Sequence, residues 1–313
     1  MTTPSKPVAE TLESQVSAPA AMSETRLLYW SVRRELWENR FIYIAPMAVA
    51  AVYLFGFLIS LFWVPRSLRG MAGHDPMPPV NALAMPYSHA AMLIMLIAFL
   101  VGIFYSLDAL HSERRDRSIL FWKSLPVSDL TTVLSKASIP LVVLPLLVVA
   151  ITVIVQLIML VLSATLLLVS RARTATPWAP PLFEMELVLL YSTAVLALWH
   201  APIYCWFLLV SGWARRATFL WAVLPPLAIA AVENITFHTS YLGSLLQGRL
   251  FVFAAGAFDL KDKAGAPIDA HFIPLAQLAL GRFLSSPGLW LGLVFAALCL
   301  AAAVRLRRYR EPL

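Results

Sequence analysis

The chain has 313 residues, 60% of them hydrophobic and 13% charged, with a mean hydropathy of +0.77. Average soluble domains carry about 25% charged residues, so this composition excludes an ordinary soluble domain and points to a polytopic membrane protein. The net charge of +7 comes from lysines and arginines placed beside apolar runs, a placement that fits membrane orientation and anionic headgroups rather than nucleic acid.

Residues 1–22 are rich in Pro, Ser, Thr and Ala and lack the apolar run of a secretory signal; they are expected to form a disordered cytoplasmic tail. Residues 23–40 read as a helix with Ser23 as N-cap. Leu28, Val32 and Leu36 fall on one stripe, and Trp30 and Trp37 lie opposite with Arg26, Arg33 and Arg34. Tryptophan prefers the headgroup level and arginine binds phosphate, so this mixture predicts an interfacial helix. The alternative is a cytoplasmic helix packed on the bundle.

A helix crossing the hydrocarbon needs about 20 residues, and each charge at mid-membrane costs roughly 2.5–3.5 kcal/mol. Residues 41–65, 76–107, 137–170, 187–214 and 283–304 are charge-free and long enough, and 217–232 are charge-free but shorter. Six spans follow, at about 41–64, 88–108, 137–168, 187–210, 217–235 and 286–304, within a transmembrane domain of residues 41–310. With the N-terminus inside, lysines and arginines on the cytoplasmic side outnumber those outside two to one, and the even count puts both termini in the cytoplasm. The expectation is a multi-pass protein of the plasma (inner) membrane.

Outside the bilayer, residues 65–89 contain Gly, Pro and Met and are expected to be irregular. Residues 170–186, with Pro177, Pro180 and Pro181, should be extended and stiff. Residues 236–285 form the longest outer segment, expected to fold onto the outer mouth of the bundle, since long structureless loops are uncommon. No internal repeat appears, which argues against an inverted-repeat transporter.

Polar residues inside the apolar runs are functional candidates. Gln156 lies in the third span with Thr152, His200 lies in the fourth beside Pro202, and Glu233 ends the fifth after Pro225 and Pro226. Gln156, His200 and Glu233 are the candidates for a translocation path. The alternatives are that His200 is a hydrogen-bonded packing residue and Glu233 a solvated helix end. Cys205 and Cys299 sit in apolar runs without metal-ligand spacing and read as buried hydrophobes. The sequence has no G-x-x-x-x-G-K-[ST] loop, no H-E-x-x-H, no Cys/His cluster and no G-x-S-x-G elbow. No catalytic site, metal site or cofactor is expected in this chain, so energy for any work would come from a partner.

Residues 108–136 are a charge-dense island between two apolar runs. A short coupling helix is expected over about 110–125 at the cytoplasmic end of the second span, with Glu113, Arg114, Asp116 and Arg117 exposed and Ile119, Phe121 and Trp122 as apolar knobs. Pro126 would stop it, and Ser128 or Asp129 would cap the next helix, which runs through Lys136 into the third span. Glu113-Arg114, then Ser118, then Ser124-Leu125-Pro126-Val127-Ser128 and Lys136 resemble the coupling region of the ABC type-2 permease family. The layout matches as well: an interfacial helix, six spans, a coupling helix between spans two and three, and a long outer segment between spans five and six.

The resemblance implies an all-α integral membrane protein with six transmembrane helices, an N-terminal interfacial helix and a cytoplasmic coupling helix. It implies a permease subunit of an ATP-driven exporter, pairing with itself or a related permease and binding two copies of an ABC ATPase subunit, with ATP and Mg on that subunit. Glu113, Arg114, Arg117 and Trp122 would then contact the ATPase, and Leu125 and Pro126 would shape the coupling turn. Ser118, Asp129 and Ser135 stand where the family often has Thr, a basic residue and Gly. Two other readings are a non-transport ABC complex that extracts lipid or signals, and an integral-membrane enzyme or assembly factor with no ATPase.

Overall fold

The computed structural model describes residues 24–71, 80–116, 128–169, 181–250, 257–258, 275 and 278–309. Its helices in chain order are α1 (Glu24–Glu38), α2 (Phe41–Met71), α3 (Val80–Asp108), α4 (His111–Arg115), α5 (Asp129–Ser138), α6 (Leu144–Val169), α7 (Leu182–Trp213), α8 (Thr218–Phe237), α9 (Tyr241–Leu250), α10 (Leu280–Leu284) and α11 (Pro287–Tyr309). A π-helical turn over Ile139–Val143 joins α5 to α6, so the third apolar helix is continuous from its charged start to its apolar end. The single non-helical pairing among the described residues is an antiparallel bridge between Phe258 and Leu278.

Six helices are long and apolar enough to cross a membrane: Phe41–Leu61, Ala84–Arg115, Asp129–Thr165, Leu182–Trp213, Thr218–Phe237 and Pro287–Tyr309. All-helical spanning follows from chemistry, because hydrocarbon offers no partner for a backbone N–H or C=O and a helix satisfies both internally. The expectation of an irregular stretch over residues 65–89 is corrected in its described parts, residues 65–71 and 80–89, which are helical; residues 72–79 lie outside the described residues. The first spanning helix continues to Met71 and the second begins at Val80, carrying Pro86 inside the helix. The Tyr53 hydroxyl donates to the Pro86 carbonyl at 2.6 Å, pinning α2 to α3 near that proline.

The main core joins α2, α3, α5, α6 and the inner face of α1 through Ile42, Ala50, Ala84, Ala90, Ile94, Tyr105, Val133, Ile139, Val148 and Met159. The most extensive helix pairing is α7 with α11. Its contact carries Ala201, Cys205, Ala296 and Cys299, small side chains that let two helices approach closely where lipid supplies no hydrophobic drive. Both cysteines are buried and unbridged. Gly102 of α3 serves the same end: a Cβ there would meet the Tyr204 ring at 2.9 Å.

The π-turn has a local cause. Pro140 cannot donate to the Lys136 carbonyl, and the ladder resumes with Leu144 N–H bonding Ile139 O, five residues back. Helix α8 is bounded by left-handed residues at both ends, Ala217 (φ 51°) and His238 (φ 50°), and it is the least buried of the spanning helices. Beyond it, Ala257, Phe258 and Phe283 pack on Val195, Tyr191 and Trp199 of α7, and the Tyr191 hydroxyl donates to Ala257 O at 3.0 Å. The described part of the 236–285 segment therefore lies against α7 and the start of α11.

Candidate functional site

At the end of the bundle where α1, α4 and α5 meet, the structure buries a cluster of charged side chains. Glu35 is fully buried and Lys136, Glu113 and Arg307 are at most 7% exposed. Lys136 Nζ lies 2.8 Å from Glu35 Oε1 and 3.1 Å from Glu113 Oε1. Arg307 Nη1 lies 2.5 Å from Glu113 Oε2, and its Nε lies 3.1 Å from Asp129 Oδ1. Arg34 Nη2 spans the two glutamates, at 2.9 Å from Glu35 and 3.4 Å from Glu113. The Tyr105 hydroxyl donates to the second Glu35 oxygen at 2.8 Å.

Five elements contribute: Arg34 and Glu35 from α1, Tyr105 from α3, Glu113 from α4, Asp129 and Lys136 from α5, and Arg307 from α11. Three carboxylates face three cations, so the cluster is neutral as a unit. Neutrality matters, since each uncompensated ion out of water costs several kcal/mol. Glu38, at the rim of the cluster, has its carboxyl pushed above the usual range by partial burial, against the pull of Arg34.

The local sequence delivers each group by ordinary rules. Ser128 caps α5, its Oγ accepting from Thr131 N–H at 3.0 Å. Asp129 then sits in the first turn of α5 and Arg307 in the last turn of α11, each where the helix dipole favours its charge. Asp129 and Lys136 are two turns apart on the face that also buries Thr132 and Val133. On α1, Glu35 follows Val32 by three residues and so lies on the inner, apolar side rather than facing solvent.

The turn between α3 and α4 is stitched to a fourth span. Arg114 Nη1 donates to the Gly212 carbonyl at 2.8 Å and reaches Ala214 O at 3.5 Å. These are end carbonyls of α7, which lack intrahelical partners and are favourably capped by a cation. Leu110 N–H donates to Ser211 Oγ at 3.4 Å, and Leu110 packs 3.3 Å from where a Cβ on Gly212 would stand.

These contacts correct the expected exposure of the island. Glu113 and Arg114 are buried, each 6% exposed, because their charges are used within the bundle: Glu113 between Lys136 and Arg307, Arg114 on the end of α7. The exposed charges among the described residues of the island include Asp108, Arg115 and Asp116; the last two pair at 3.1 Å with side chains 62% and 61% exposed. Arg117, Trp122, Leu125 and Pro126 lie outside the described residues, and the expected coupling helix is described only over its α4 portion. Arg34 is also corrected. It turns inward from the tryptophan side of α1, drawn by Glu35 and Glu113, while Trp30, Arg33 and Trp37 stay on the outer side.

The three intramembrane candidates occupy separate places. Gln156 is buried, its Nε2 donating to Tyr87 O at 3.3 Å, and neither its Oε1 nor the nearby Thr152 hydroxyl has a partner among the described residues. His200 is buried with Nδ1 2.9 Å from Leu196 O and its ring 4.6 Å from that of Phe99. Glu233 caps α9: its carboxylate accepts from Tyr241 N–H at 2.7 Å, Leu242 N–H at 2.9 Å and the Thr239 hydroxyl at 3.1 Å. At that far end, Arg249 of α9 lies 4.0 Å over the Trp199 ring and donates to the carbonyls of Trp199 and Gly288. Gly292 leaves room for it, since any Cβ there would collide with the guanidinium.

Sequence reasoning missed Glu35, Tyr105 and Arg307 as members of one site. The available signal was Glu35 itself, an acid on the apolar stripe of a helix that ends beside a span. No family model, curated protein or solved structure matches the chain.

Proposed function

We propose that this chain is the membrane-spanning permease subunit of an ATP-driven exporter, built as a pair of permeases with separate ATPase subunits. The charged cluster faces the cytoplasm in this reading, as the lysine and arginine bias favours. One observation carries it: Glu113, in the turn between the second and third spans, is ion-paired at once to the start of the third span through Lys136 and to the end of the sixth through Arg307. Its neighbour Arg114 holds the end of the fourth. A displacement of this turn is thus passed to several helices by charged contacts that are costly to break. A chain that only needed a solvated loop here would have no reason to bury those charges.

The roles divide accordingly. Glu113 and Arg114 transmit, and the ATPase is met by the exposed Arg115 and Asp116 together with residues 117–127. The charge pattern on the exposed side gives a test. Reversal of Arg115 and Asp116 (R115E/D116K) removes ATPase co-purification while the thermal midpoint of the chain stays close to that of the wild type, since a solvent-screened exposed pair contributes little to stability. Undiminished ATPase binding by that variant would contradict the assignment.

A further inference from the structure

The outer face of α1 carries a second arrangement that the coupling reading does not use. Arg26, Trp30, Arg33 and Trp37 recur at spacings of four, three and four residues, one stripe along the helix. Arg33 sits between the two indoles, its guanidinium carbon 5.1 Å from the Trp30 ring centre and 5.0 Å from that of Trp37. The rings are held outward, Trp30 51% and Trp37 68% exposed, with Tyr29 beside them at 61%. Arg26 and Arg40 are exposed at the two ends. Among the described residues no carboxylate pairs with Arg26 or Arg33: Glu35 lies on the opposite side of the helix, and Glu38 is engaged by Arg34.

We propose that this stripe is a docking surface for anionic phospholipid headgroups. Two indoles flanking a guanidinium favour the headgroup depth, where an amphipathic ring is wet at one edge and apolar at the other. The cation–π contacts orient the guanidinium between the rings, and phosphate is the anion that its N–H fork matches. The helix leads directly into α2 at Phe41, itself exposed with Ile44 and Met47 on the following turns, so the stripe continues into an apolar face of the first span. The roll of α1 is fixed from behind by Glu35 and Arg34 in the buried cluster. An anionic surface in front and the cluster behind therefore grip one rigid helix, and lipid charge bears on the stability of the cluster. The inference needs only the membrane-spanning helices; it stands whether or not an ATPase binds.

Basic residues at an anionic surface gain about fivefold in local binding each. The test uses the full chain in nanodiscs of mixed phosphatidylcholine and phosphatidylglycerol, with one lipid or the other brominated at equal mole fraction. Quenching of Trp30 and Trp37 is read as the difference between the wild type and the variant Trp30→Phe/Trp37→Phe. The expected result is quenching several-fold stronger by the brominated anionic lipid. That preference is lost in Arg26→Gln/Arg33→Gln and weakened in Arg33→Lys, which keeps the charge but not the planar fork. Equal quenching by the two lipids overturns the proposal, as does no quenching of these tryptophans by either or a preference that survives in R26Q/R33Q. Native mass spectrometry of the wild type and R26Q/R33Q reads the same difference without tryptophan replacement, as loss of retained phosphatidylglycerol; equal retention by the two overturns it again.

Discussion

Glu113 illustrates how much depends on a single carboxylate. Its two oxygens face Lys136 on one side and Arg307 on the other, so Glu113→Gln leaves Lys136 with Glu35 and Arg307 with Asp129 but gives the buried cluster one uncompensated positive charge. Removing one member of a buried charged pair costs about 3–5 kcal/mol. The variant is expected to lower the thermal midpoint in detergent sharply, and an unchanged midpoint would mean that the cluster is solvated and weak. The residues of this site were only partly legible in advance. Glu113 and Arg114 stand out in the sequence as a dense pair of charges, yet charge density alone argues for exposure. Their burial depends on partners far along the chain, Arg307 at 194 residues from Glu113 and Gly212 at 98 from Arg114, that no local pattern links to them. Glu233 shows the converse. An ionisable group at the end of an apolar run invites a transport role, whereas here it accepts the first N–H groups of α9, a contact set by the turn that follows it.

At the scale of elements, the apolar runs were the readable part. Six helices long enough to cross a membrane follow from stretches free of charge, and Ser128 caps α5 as the residue type suggests. Residues 65–71 and 80–89 are helical where glycine and proline suggested irregular backbone, and residues 72–79 lie outside the described residues. Helix α2 is described to Met71 and α3 from Val80, with Pro86 inside it. Packing between α3 and α7 is equally specific and invisible in sequence. Gly102 faces the Tyr204 ring at a distance that leaves no space for a methyl group. Gly102→Ala is expected to destabilise by about 1–3 kcal/mol through overpacking, in spite of alanine's better helix propensity, and chemical denaturation of the purified chain reads it. A neutral or stabilising alanine would mean that α3 and α7 can move apart freely.

At the scale of the molecule, the two ends of the bundle are built differently. One end gathers ions from α1, α4, α5 and α11 into a neutral, buried unit; the other is closed by apolar packing, a helix-capping glutamate and an arginine laid on a tryptophan. The ionic end carries the exposed Arg115–Asp116 pair, and under the proposed function it is where a partner would push. The proposed assembly is tested by drawing the tagged chain from its native membranes in mild detergent and weighing the complex by native mass spectrometry. The expected mass is that of two copies of a permease with two copies of an ATP-hydrolysing subunit, reduced to permease alone in R115E/D116K. A homogeneous wild-type chain carrying no nucleotide-hydrolysing subunit would contradict it.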